Sequence, residues 1–347
     1  MKRLPLRILS LTLMAALLLP LLFGCGYRPV KSTKWESTPV FSFGEYTVNT
    51  ETLHAFFMSK CNDIPGFSAS YFSGSNGNER FATVLASAVQ EIAGIYAMFA
   101  VCSSVGIDPF TEEIDDEITE YVKTSVEGGQ LGDHVIRGFE SYDDYLEYIR
   151  ANYYMNDAVN RLMIRYALCE EKLDAYYKTS YRYSEADVTA FFESDDCIRI
   201  TWVNRQGNSA GLGLADNLDL LTRARDYLAA GNYDMAIQYS LSEMTDFYMG
   251  RYTLDPLYYG ELIAAAYDLE VGEVSSIMDL GSLGYFAFRK RIKDSADLSA
   301  HYEQIVALYL GDAMYGKIEE KQNALLSSIS YTEYYHSLTP TEIMTAK

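Results

Sequence analysis

The chain has 347 residues, 49% of them hydrophobic and 14% aromatic, so it is long enough for two domains with sizeable cores and is no disordered class. Its 48 Asp and Glu outweigh 28 Lys and Arg for a net charge of −20, a balance that repels polyanions and excludes nucleic-acid binding. The cysteines and the four histidines are dispersed, without Cys-x-x-Cys, so neither a metal site nor any cofactor is expected.

Lys2, Arg3 and Arg7 precede an almost unbroken apolar run from Ile8 to Phe23, which falls short of the about 20 residues needed to span a bilayer. Gly24-Cys25 closes the run, so residues 1–24 read as a secretory signal peptide. Leu22-Phe23-Gly24-Cys25 resembles the bacterial lipobox, which implies a lipidated Cys25 and a protein held by its lipid on the extracytoplasmic face of the cell membrane. Residues 25–43 form a Pro-, Ser- and Lys-containing tether running into a strand-like Val40–Val48 broken at Gly44-Glu45.

Thr50 can cap a helix through Lys60, and 63–78 is a loop. A long apolar helix is expected over Asn78–Val105, then Glu112–Val126 behind Thr111 and stopped by Gly128-Gly129. Helices follow over Tyr142–Tyr154, opened by Ser141 with Asp144, and over Asp157–Lys178. Ser184 with Asp187 opens another short one. At Cys197 the period shortens: Ile198, Ile200 and Trp202 alternate with Arg199 and Thr201, as in a half-buried strand. Helices over Asp216–Ala230, Tyr233–Ser240 and Gly260–Leu269 come next, with β segments at Val271–Ser275 and Leu283–Phe288. Asp297–Ser327 reads as one long helix and Tyr331–Ile343 as extended. Thirty tyrosines, in clusters such as Tyr142/Tyr145/Tyr148 and Tyr176-Tyr177, suit either packing between helices or contact with a polypeptide client, and the helical spacing favours packing. Cys61, Cys102, Cys169 and Cys197 could form disulfides in an exported chain, and the sequence does not pair them.

This order, an α+β unit inside a helical frame, resembles the SurA/PrsA family of extracytoplasmic foldases. The residues that carry the resemblance are Gly44-Glu45-Tyr46-Thr47-Val48-Asn49-Thr50-Glu51, Ala265-Ala266-Tyr267-Asp268-Leu269-Glu270-Val271-Gly272-Glu273-Val274-Ser275, and Gly284-Tyr285 before a strand ending in Arg289-Lys290. It implies an α+β protein in which a SurA N-terminal-like helical module (44–195) is completed by a C-terminal helix and tail (294–347), with a parvulin-like domain (196–293) between them. The family's prolyl isomerase site would fall at Thr201 and Phe286, where the family has histidines, and at Ser242, where it has an acid. Trp202, Tyr258, Leu262 and Tyr285 would line the proline pocket. Both histidines are absent, so the resemblance implies a chaperone for unfolded or newly exported polypeptides whose parvulin site is inactive. Two alternatives stay open: an active peptidyl-prolyl isomerase with a rearranged site, and a lipoprotein dedicated to one envelope partner. The oligomeric state is open too, a homodimer being one option.

Overall fold

A computed structural model describes residues 37–345 apart from 132–133, 137, 206–213, 241–245 and 255. The expected signal peptide, Cys25 and most of the tether lie outside the described residues. The chain divides into two compact units, Met1–Ala175 with Gly316–Lys347, and Tyr176–Tyr315. The fold is of the α+β class.

In chain order the first unit carries β1 (Pro39–Phe43), β2 (Tyr46–Asn49), α1 (Thr50–Asn62), a 3-10 turn at Ala69–Phe72, α2 (Gly77–Ser104), α3 (Glu112–Glu127), β3 (Gly129–Leu131), β4 (His134–Ile136), α4 (Tyr142–Tyr153) and α5 (Asp157–Thr179). The second holds α6 (Glu185–Glu193), β5 (Ile198–Arg205), α7 (Leu214–Ala229), α8 (Tyr233–Tyr239), β6 (Phe247–Met249), α9 (Pro256–Asp268), β7 (Met278–Asp279), β8 (Tyr285–Arg291) and α10 (Ser295–Ala300). Then come α11 (Tyr302–Ser327), β9 (Ile329–Tyr331), α12 (Glu333–Ser337) and α13 (Pro340–Met344). The unit boundaries fall within α5 and α11.

In the first unit, β1 and β2 form a hairpin that closes at Phe43↔Tyr46, where Gly44 takes φ +60°, open to glycine without a Cβ penalty. The chain's far end completes this sheet: β9 pairs antiparallel with β1 (Phe41↔Tyr331, Phe43↔Ile329), giving the order β2-β1-β9. Thr332 Oγ1 donates to the Val40 carbonyl at 2.9 Å, and Tyr331 stacks on Tyr335 at 4.2 Å. α2 is long and apolar enough to cross a membrane, yet 67% of its most apolar window is buried inside the protein, the mark of a core helix. Ile92, Ala93, Met98 and Phe99 are fully buried there. Thr111 caps α3 by accepting from the Ile114 amide at 3.4 Å. The β3–β4 hairpin was not expected from the sequence.

The tail differs from expectation as well. Tyr331–Ile343 is mostly helical, because Thr332 caps α12 and Thr339 forms a capping box with Glu342 behind Pro340 at the first turn of α13. The long helix expected over Asp297–Ser327 is interrupted at His301.

The second unit is built on a four-stranded antiparallel sheet of order β6-β5-β8-β7. β5 pairs with β8 over seven positions, from Arg199↔Arg291 to Arg205↔Tyr285, and with β6 over Ile198↔Met249 to Ile200↔Phe247. Each sheet face carries its own core. One gathers Ile198, Ile200, Phe247, Met249, Phe286 and Phe288 under Leu262 and Ala266 of α9. The other gathers Val203 and Ala287 under Leu221, Ala224 and Leu228 of α7 and Ala236 of α8. A third cluster joins Val188, Phe191 and Phe192 of α6 to Cys197, Tyr248 and Ile305 of α11. That cluster ties α6 and the start of α11 to the sheet. Lys293 seals it, its ammonium donating to the carbonyls of Phe192, Ser194 and Cys197 at 2.5–2.6 Å. Val271–Ser275, expected as a β segment, is a turn with a single bridge at Val274↔Arg289.

Candidate peptide-binding face

Successive side chains of a strand point to opposite faces, and the β5–β8 register sorts the expected site residues by parity. Even-numbered Trp202 of β5 and Phe286 of β8 share the α9 face with Leu262. Odd-numbered Thr201 and Tyr285 lie on the α7 face. Thr201 and Phe286, the two positions expected to replace the family's histidines, therefore do not meet. The residue that faces Phe286 is Trp202, one place along, with ring centroids 5.5 Å apart. In register Phe286 lies opposite Asn204, and Trp202 lies opposite Phe288. Likewise the expected pocket keeps Trp202 and Leu262 and loses Tyr285, which packs against the Val203 cluster. Ser242 and the Tyr258 side chain lie outside the described residues.

The α9 face is aromatic. The Trp202 ring meets Phe247 at 5.0 Å edge-on and Tyr259 at 6.5 Å, and Tyr259 meets Phe286 at 6.0 Å in a T-shaped contact. Such pairs add about 0.5–1.5 kcal/mol each beyond the area they bury. Two polar atoms on this face of β5 have no hydrogen-bond partner among the described residues: the buried indole Nε1 of Trp202 and the buried Oδ1 of Asn204, which sits opposite Phe286 in register. An unmade buried bond costs about 1–3 kcal/mol. The sequence did not single out Asn204. Strand parity alone could have pointed to it, since Asn204 shares the face of Trp202.

Thr201 sits in a different environment. It is 2% exposed and its Oγ1 accepts from Arg291 Nη1 at 3.1 Å and lies 3.5 Å from Asp246 Oδ1. Arg199 grips Asp246 through Nε and Nη2 at 3.2 and 2.8 Å and reaches Asp297 with Nη1 at 2.8 Å. The Asp246 hydrogen bond holds the Arg199 guanidinium above its ordinary pKa. Arg291 stacks over the Tyr233 ring at 4.2 Å. Arg199, Arg291, Asp246 and Asp297 each spend their charge on one another, which suits a brace between β5, β8 and the start of α10. No group in this network is free to move a proton for a substrate.

Two open clefts on this unit are lined by other residues, one at Ala230–Asp234 and one along Cys197–Arg199, Val271 and Lys290–Lys293. Among the described residues no group of three or more His, Cys, Asp and Glu could hold a metal ion.

No protein-family model and no curated protein matches the chain. Among solved structures it is similar to PrsA from Bacillus subtilis, at 15% identity over 72% of this chain and 87% of that one, with a TM-score of 0.26. It is similar to the foldase protein PrsA from Streptococcus pneumoniae, at 16% identity over 74% and 90%, with a TM-score of 0.31. A structure of SurA-like chaperones from Campylobacter jejuni matches at 12% identity over 68% and 94%, with a TM-score of 0.21. All three are foldases or chaperones of the kind the sequence resembles. At this identity and these TM-scores the chemistry of the face is read from the chain's own residues.

Proposed function

We propose that this chain is a lipid-anchored extracytoplasmic chaperone that holds exported polypeptides, and that its parvulin-like unit binds peptide without catalysing prolyl isomerisation. The observation that carries the reading is the aromatic α9 face, where Trp202 meets Phe286 at 5.5 Å and neither Thr201 nor Phe286, the positions of the family's histidines, is a histidine.

Rotation about an amide crosses a barrier of about 18–20 kcal/mol set by resonance, and only contacts that favour the twisted form over the planar ones lower it. Phe247 and Phe286 are buried in the core beneath α9, so client contact on this face falls to the partly buried Trp202 and Tyr259. Their rings offer area to planar and twisted prolines alike and supply affinity without acceleration. Promiscuous holding needs no more than this. The anchor is supported by Leu22-Phe23-Gly24-Cys25, and the net charge of −20 suits a surface protein beside an anionic envelope.

The test is light-scattering suppression of aggregation for two unrelated reduced clients, with the wild type and a Trp202→Ala/Tyr259→Ala variant. The proposal expects suppression by the wild type and a several-fold loss in the variant at matched, folded concentration. No suppression of either client, with a single partner captured instead from envelope extracts, would favour the dedicated-partner alternative.

A further inference from the structure

Each cysteine among the described residues is a buried thiol, but their surroundings differ. Among the described residues Cys61 on α1 meets no other cysteine, and burial alone pushes its thiol up to about 12. Cys197, at the start of β5, is likewise pushed up to about 12 by burial. Cys102 and Cys169 are a pair. Cys102 lies near the end of α2 and Cys169 in the middle of α5, both 0% exposed and both in the first unit. The Cys102 thiol donates to the Cys169 carbonyl at 3.5 Å, and the two side chains are engaged with each other. The Cys102 thiol thus lies against the backbone of Cys169, and a disulfide needs their Cα atoms about 4.4–6.8 Å apart.

We propose that Cys102 and Cys169 are a disulfide-forming pair that locks α2 to α5. The members are unequal. The hydrogen bond from Cys102 holds the Cys169 thiol below its ordinary pKa, against the effect of burial, and Arg165 and Lys172 within a turn of it on α5 act the same way. Cys102 is held above its ordinary value by that same hydrogen bond and by burial. In the unfolded chain neither environment exists, and either cysteine opens the exchange. Its thiolate attacks one sulfur of a small-molecule disulfide, forming a mixed disulfide and expelling one thiolate. The other cysteine then gives its proton to solvent and attacks the protein sulfur of that mixed disulfide, expelling the second thiolate. Two protein thiols are oxidised and one small disulfide is reduced to two thiols. Both sulfurs are sealed in the finished core, so the exchange belongs to folding, before α2 and α5 close on each other.

The test refolds the reduced full chain with oxidised glutathione, blocks remaining thiols with N-ethylmaleimide under denaturant, and maps cysteine peptides by mass spectrometry. The proposal expects one linked peptide pair, Cys102–Cys169, with maleimide on Cys61 and Cys197. The oxidised protein should melt about 10 °C above the same protein in excess reductant, as closing a loop of this length implies. A Cys102→Ser/Cys169→Ser variant should lose that difference. Maleimide on both Cys102 and Cys169, or a linkage joining either to another cysteine, overturns the proposal. The mapping is done on the wild type, so it decides even if the variant fails to fold.

Discussion

Asp312 of α11 is a carboxylate buried against a tight turn, and acid should strengthen the unit that contains it. Its oxygens accept from the backbone amides of Arg251 and Tyr252 at 3.3 and 3.5 Å. Burial outweighs those bonds and the Arg251 charge, and Asp196 adds repulsion, so the carboxyl is pushed up from 3.8 to about 6. Tyr267 and Cys197 also face it, and both are held above their ordinary values with Asp312 among the causes. Because the folded value exceeds the unfolded one, folding takes up a proton between them, and stability rises as pH falls from about 7 towards 4. Two pKa units correspond to about 3 kcal/mol. The carboxylate is partly exposed, and screening reduces this to about 1–2 kcal/mol over an accessible range. The assay is urea unfolding of the wild type and Asp312→Asn at pH 7.5 and pH 4.5. Relative to the wild type, the variant should be more favoured at pH 7.5 than at pH 4.5 by about 0.5–1 M in midpoint. Gly250→Ala perturbs the same contact sterically, since a Cβ there would lie 2.4 Å from Asp312 Oδ1. A midpoint difference that is the same at both pH values would refute the reasoning.

Other expectations follow from the same structure. His54 of α1 is buried, with Nδ1–H donating to the Ile343 carbonyl at 2.5 Å and burial holding its pKa below 6.5. The first unit should therefore lose stability as pH falls below about 6.5, and a His54→Asn variant should lose that dependence in thermal melts. Leu262→Ala empties a fully buried site beneath Trp202 and should cost about 2–5 kcal/mol in urea unfolding, with a shift in tryptophan emission. Arg199→Met leaves Asp246 with Arg291 alone and should cost about 1–3 kcal/mol in the same assay. Aggregation suppression by the folded Arg199→Met protein should be unchanged, because this network lies on the α7 face.

Much of the helical frame was legible, because its punctuation is local: Thr111, Ser141 and Ser184 each cap the helix expected of them. The tail was legible too and was misread. Thr339-Pro340 with Glu342 is a complete helix start, overlooked because Tyr331–Ile343 lacks an apolar period. Gly132-Asp133 between Gln130-Leu131 and His134-Val135 has hairpin composition that could have announced β3 and β4. The site was legible as a strand but not in register. Alternation from Ile198 to Trp202 says which residues share a face of β5, while only the pairing of Asn204 with Phe286 says which of them meet β8. That pairing joins residues 82 positions apart and leaves no trace in local pattern.

The central claim is that the aromatic face holds polypeptide without isomerising proline, and the most direct test is catalysis of a proline-limited refolding reaction. The assay compares the purified protein with a Trp202→His/Phe286→His variant at concentrations that suppress aggregation. The account predicts that the wild type leaves the slow phase at its uncatalysed rate while still preventing aggregation. Acceleration of that phase by the wild type in proportion to its concentration would contradict it and make the face an isomerase site.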